Sequence, residues 1–146
     1  MPGKKEAVEK LRSYEAVRHS LKVLPLEIRR VEQEMAALAG GISLEPGNRD
    51  YRGRENRLNR LITQKQQLQQ ALERTKLWIE AVNLAMEALD LRQRQILFRM
   101  DIRQQPDAVE RLCQDLEVER SSIYRHRDRA LEKFALAFYG IGESKP

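Results

Sequence analysis

The chain has 146 residues and a formal net charge of +5; 34% of its residues are charged and only 5% aromatic. That size gives one domain, or a small domain with an extended helical arm, and the basic balance favours a polyanionic partner without demanding one. A single cysteine excludes an intrachain disulfide, no apolar run approaches a membrane span, and residues 1–10 lack the apolar core of a signal peptide. A cytoplasmic protein without a membrane partner is therefore expected.

The first element is a helical stripe. Tyr14, Val17, Leu21, Leu24, Ile28, Val31, Met35 and Leu38 step by three and four residues. Pro25 lies within it and, lacking an N–H, is expected to kink or divide the helix. Gly40-Gly41 should stop it, and Pro46-Gly47-Asn48 supplies turn residues in a loop running to about Arg52. A cleaner heptad follows. Leu58, Leu61, Lys65, Leu68, Leu72, Thr75, Ile79, Val82, Met86 and Leu89 alternate between the a and d positions, with Lys65 and Thr75 as polar members able to set register. A helix from about Arg54 to Leu89 would be roughly 50 Å long. With the first stripe it should fold back as an antiparallel hairpin, or pair with another chain. The arginine-rich segment Arg49–Arg60 reads as a solvated loop and helix start, with a second DNA-contacting patch as the alternative.

The last third has a different texture. Asp90 and Gln93 signal a helix start before Ile96, Leu97 and Met100. Pro106 and Asp107 open the next helix, where the Asp107 carboxylate and Glu110 have the spacing of a capping box. That helix should end at Leu116, with Glu117-Val118 as the turn and a second helix from about Arg120 to Phe138. Leu112, Leu116, Val118 and Ile123 fall where two short helices bury side chains against each other, and Cys113 where the backbones approach most closely. This is the spacing of a helix-turn-helix, whose second helix enters the DNA major groove. The turn lacks the usual glycine, so Glu117 must adopt a left-handed conformation, at a cost of roughly 1–2 kcal/mol, or distort the turn. Glu119 offers a weaker cap than Ser or Thr. Gly140 and Gly142 should end the last helix, leaving a frayed tail at Glu143–Pro146.

Successive residues about 100° apart sort the second helix into two faces. Ile123, Ala130 and Phe134 point inward with Leu131 at the edge; His126 lies near that face, as does Arg127, which would pair with an acidic neighbour. Ser121, Arg125 and Asp128 point outward, flanked by Ser122, Tyr124 and Arg129. Short donors near the helix start and arginines beyond them suit an approach to base edges. Arg125 is the candidate for base readout. Ser121, Ser122 and Tyr124 suit phosphate or base, and Arg120 and Arg129 suit phosphate. An ordinary solvated amphipathic helix would also carry basic residues, so the packing residues, more than the charges, favour DNA.

Leu89–Phe134 resembles region 4 of bacterial sigma factors, through Leu89–Leu97 and through Val118–Phe134 with its Ala130-Leu131 pair. The whole chain is similar to the RinA/ArpU-type phage regulators of late genes, on Ser121-Ser122, Tyr124-Arg125, Ala130-Leu131 and Tyr139-Gly140. Glu119 stands where that family usually has Ser or Thr. The resemblance implies a transcriptional activator at a phage or prophage promoter in a bacterial host cell. It also implies that Arg120, Ser121, Tyr124 and Arg125 face the major groove.

The expected architecture is thus all-α: a long helical hairpin over 1–89, serving to dimerise or to touch RNA polymerase, and a three-helix DNA-binding unit over 90–146. Two other functions fit the same pattern: a phage small terminase subunit binding packaging-site DNA as a ring, and a helical adaptor using the seam Leu58–Leu89. An enzyme is not expected. His19 and His126 are isolated, and there is no metal-ligand spacing, phosphate-cradling loop or carboxylate pair, so no metal or cofactor is implied.

Overall fold

The computed structural model describes residues 3–40 and 51–141. Every regular element among them is helical: α1 (Lys4–Gly40), α2 (Tyr51–Glu87), α3 (Leu91–Leu97), a π-helical turn (Phe98–Ile102), α4 (Ala108–Leu116) and α5 (Arg120–Tyr139). The turn expected at Pro46-Gly47-Asn48, together with Gly41, Arg49, Gly142 and the tail Glu143–Pro146, lies outside the described residues.

Contacts group these helices into two units, neither of which follows a cut at residue 89. One unit takes the start of α1 up to Val17 together with Leu77 onward; the other is Arg18–Lys76. The reason is packing. Ala7 and Leu11 from α1 and Val82, Ala85 and Leu89 at the end of α2 share one core with Leu97, Ile102, Ala130, Leu131, Phe134 and Ala135. Tyr14 closes the edge of this core: its hydroxyl donates to Asn83 Oδ1 at 2.7 Å, and its ring lies 6.3 Å from that of Trp78. Phe138 stacks on Phe134 and meets Tyr139 edge-on.

In the Arg18–Lys76 unit the apolar stripe of each long helix is the buried one. Val31 and Leu61 are buried, and Leu21, Leu24, Ile28, Met35, Leu58, Leu68 and Leu72 are half-buried. The two polar members of the heptad are satisfied differently. Lys65 runs its stem along the seam and ion-pairs with Glu32 at 3.1 Å, while the Thr75 hydroxyl donates to the Ala71 carbonyl of its own helix. Of the two outcomes expected at Pro25, a kink or a division, the second does not occur: the helix runs from Lys4 to Gly40 through it. Proline removes one N–H and crowds one carbonyl, but half-buried Leu21, Leu24 and Ile28 hold the turns on either side.

Asp90 caps α3 as expected. Its side chain accepts from the Gln93 amide at 2.7 Å while Gln93 Oε1 accepts from the Asp90 amide at 3.1 Å. The helix then widens: the Arg103 amide donates to the Phe98 carbonyl at 2.8 Å, five residues back. A π turn inserts one extra residue and shifts which side chains face the core. Here Ile102 turns inward beside Asp101, which follows buried Leu97 by four residues and is only 1% exposed. Arg127 of α5 meets it with two hydrogen bonds, Nε to Oδ2 at 3.0 Å and an Nη to Oδ1 at 2.6 Å. Its hydrogen bond to the Asp101 carboxylate holds the Arg127 guanidinium above its ordinary pKa against the opposing effect of burial.

Removing one partner of such a pair strands a charge, whereas replacing both with apolar groups does not. Asp101→Ala should lower stability by about 3 kcal/mol in urea denaturation. The double change Asp101→Leu with Arg127→Met should cost less than about 1 kcal/mol. Additive losses from the two positions would contradict the pairing.

Candidate nucleic-acid interface

The backbone between α4 and α5 turns on one residue. Glu117 is left-handed at φ 54°, ψ 47°. Val118 then donates its amide back to the Cys113 carbonyl at 3.2 Å, a six-to-one closure of the Schellman type. Such closures carry an apolar contact between the two residues they join. Cys113 and Val118 accordingly pack against one cluster, made of Ile96, Val109, Leu112 and Ile123, with Met100 and Leu116 beside them. This explains why a small, weakly polar side chain occupies position 113, half-buried at the joint.

The capping box expected at the start of α4 is absent. Asp107 is itself left-handed at φ 58° and makes no side-chain cap. Glu110 serves another purpose: its carboxylate takes a hydrogen bond and ion pair from Arg120 across the turn. Its own backbone amide first, and Arg120 second, hold Glu110 below the ordinary carboxylate range. A depressed folded pKa means that this clasp is fully present above the unfolded value and is lost as pH falls through the folded one. Arg120 in turn lies over the Tyr124 ring, 5.8 Å from its centroid.

These contacts place the sequence-derived candidates differently from one another. Arg120 is engaged with both Tyr124 and Glu110, so it is less free for phosphate than expected. Ser121, Arg125 and Arg129 are exposed on the outer face of α5, and Ser122 is half-buried. Farther along that face, Asp128 and Glu132 are exposed and both pair with Lys4 of α1, at 3.8 and 3.7 Å. The cationic outer surface of α5 is thereby confined to its first turns. Glu119 precedes the helix with extended backbone and no side-chain cap, so the first amides of α5 have no capping side chain. Reading the sequence missed Asp101, the residue that turns Arg127 inward; its spacing from Leu97 matched an inward position, but a carboxylate there signals only once its partner Arg127 is known.

Among the described residues no group of three His, Cys, Asp or Glu is gathered to hold a metal, and no helix is long and apolar enough to cross a membrane. Compared with family models, curated proteins and solved structures, the chain matches none.

The left-handed Glu117 is open to a direct test. Glycine adopts this conformation without a Cβ penalty. Glu117→Gly should therefore raise stability by about 1 kcal/mol, seen as a higher urea midpoint at unchanged slope. A loss of stability would mean that the turn is not held at positive φ.

Proposed function

We propose that the chain is a sequence-specific, DNA-binding transcriptional regulator in which α4, the Glu117-Val118 turn and α5 act as a helix-turn-helix. The observation that carries this reading is the first two turns of α5. They present Ser121 and Arg125 outward, with Tyr124 at the edge and Arg129 one turn farther on, from a helix whose opposite face is anchored by Ile123, Arg127 and Phe134. A helix fixed in rotation, with short donors at its start and an arginine one turn on, has the form needed to enter a major groove end-first. Its uncapped first amides suit a phosphate at the groove edge.

In this reading Arg125 reads a base, Ser121 and Arg129 hold phosphates, and Arg120 acts mainly by fixing Tyr124 and the turn. The two long helices form a hairpin that serves as a dimerisation arm or a contact for RNA polymerase. A two-fold dimer would read two half-sites separated by whole helical turns. The resemblance to RinA/ArpU-type regulators supports a role at phage or prophage promoters.

Arg125→Ala should relax preference at one base position of the selected site, costing about 1–3 kcal/mol there, with little change in affinity for unrelated duplexes. Binding isotherms on a panel of single-base variants check this. Equal weakening on every sequence would make Arg125 a phosphate contact.

A further inference from the structure

The outer face of α2 has a composition that neither helix packing nor the α5 interface explains. Arg52, Asn56, Arg60, Thr63, Gln67, Gln70 and Arg74 follow one another at steps of three and four residues, and all are exposed. They fall within an arc of about 80° on the side opposite the buried seam of Leu58, Leu61, Lys65, Leu68 and Leu72. Arg57 lies off this arc, about 100° from its middle. Not one carboxylate lies within the arc. The nearest ones on α2, Glu55 and Glu73, sit about 100° round the helix from the middle of the stripe.

A merely solvated helix face mixes both signs of charge, because alternating pairs aid solubility and add a little stability. α1 in the same unit does this: Arg30 is held by Glu27 and Glu34 on its own helix. On α2, among the described residues, no ion pair engages Arg52, Arg57, Arg60 or Arg74. What remains is a row of arginines interspersed with amides and a hydroxyl, every member able to donate a hydrogen bond and none repelling an anion. From Arg52 to Arg74 it runs for roughly 33 Å, about one turn of duplex DNA. Lacking large apolar or aromatic side chains, this surface cannot stack bases or anchor a protein interface. Its chemistry is that of backbone contact.

We infer that the outer face of α2 between Arg52 and Arg74 is a second DNA-binding surface, one that holds the phosphate backbone of duplex DNA without reading its sequence. The inference rests on the DNA-binding reading of α5 and adds to it a separate, electrostatic contact. Three arginines within this surface, Arg52, Arg60 and Arg74, each neutralise one phosphate. Because they are exposed and no ion pair among the described residues engages them, changing them to glutamine leaves the helix intact.

The test uses the full-length chain and two duplexes of equal length, one carrying the site selected by the wild-type protein and one of scrambled sequence. Affinity is followed from low to physiological salt, with circular dichroism as a check on folding. The variant Arg52→Gln/Arg60→Gln/Arg74→Gln should bind both duplexes more weakly by at least tenfold at low salt. The log–log salt slope should fall by about 2.7, at roughly 0.9 per phosphate released, while the ratio between the duplexes stays unchanged. A wild-type slope in the variant would overturn this second surface and leave the α5 reading standing. Altered preference between the duplexes would also overturn it, since that is base readout. A wild-type protein that holds neither duplex at any salt would overturn both.

Discussion

A carboxylate withdrawn almost completely from water has to be met by a cation, and in this protein the cation comes from the helix that carries the candidate DNA-reading face. The Asp101–Arg127 pair sets the rotation of α5. With Arg127 drawn inward between Ile123 and Phe134, the residues half a turn away, Ser121 and Arg125, have no choice but to face outward. Asp101 lies in the π turn at Phe98–Ile102, where Ile102 is turned inward beside it. A buried carboxylate on one short segment thus bears on what another helix shows to solvent. Buried ion pairs add little net stability over an apolar replacement. Their value here is directional, in that an arginine engaged by two hydrogen bonds tolerates less rotation than a leucine in the same place.

Two further devices keep the surface of α5 well defined. The left-handed Glu117 and the closure from Val118 to Cys113 fix how the chain leaves α4, and the Glu110–Arg120 clasp ties the start of α5 back to α4. Lys4 engages Asp128 and Glu132, so the carboxylates of the outer face are partly neutralised and lie beyond the first turns. A positive region limited to one end of a helix favours end-on approach to a polyanion over lying flat along it. The stripe on α2 has the opposite character, being long and even, with amides between its arginines. In the proposed reading the first would read bases and the second hold the backbone, the division that protein–DNA contacts generally show.

Much of the helical framework was legible from spacing alone. The a and d residues from Leu58 to Leu89 and the stripe from Tyr14 to Leu38 are the buried and half-buried faces of α2 and α1, because a period near 3.5 has only one way to hide its apolar side. The capping box at Asp90 and Gln93 was legible for the same reason: it is a local arrangement of backbone and side chain. So was the strain at Glu117, where the helix must end and no glycine stands. What the sequence hid was anything decided by a distant partner. Asp107 and Glu110 have capping-box spacing, yet Glu110 is drawn to Arg120, ten residues on, and Asp107 adopts a left-handed turn after Pro106. At Pro25 the helix is not divided, because packing on both sides carries it through. Asp101 drew no notice in the sequence, since its partner Arg127 is twenty-six residues away. For α5, inward Ile123, Ala130, Leu131 and Phe134 were visible from the sequence; the engagement of Arg120 with Tyr124 was not.

The claim on which this account turns is that the first turns of α5 distinguish one DNA sequence from another. Repeated selection of random-sequence duplexes by the purified protein at physiological salt tests it most directly. The account predicts that one short motif emerges and strengthens with each round, repeated at a spacing of whole helical turns if the protein is a two-fold dimer. Recovery of duplexes with no motif beyond the starting pool, round after round, would contradict it.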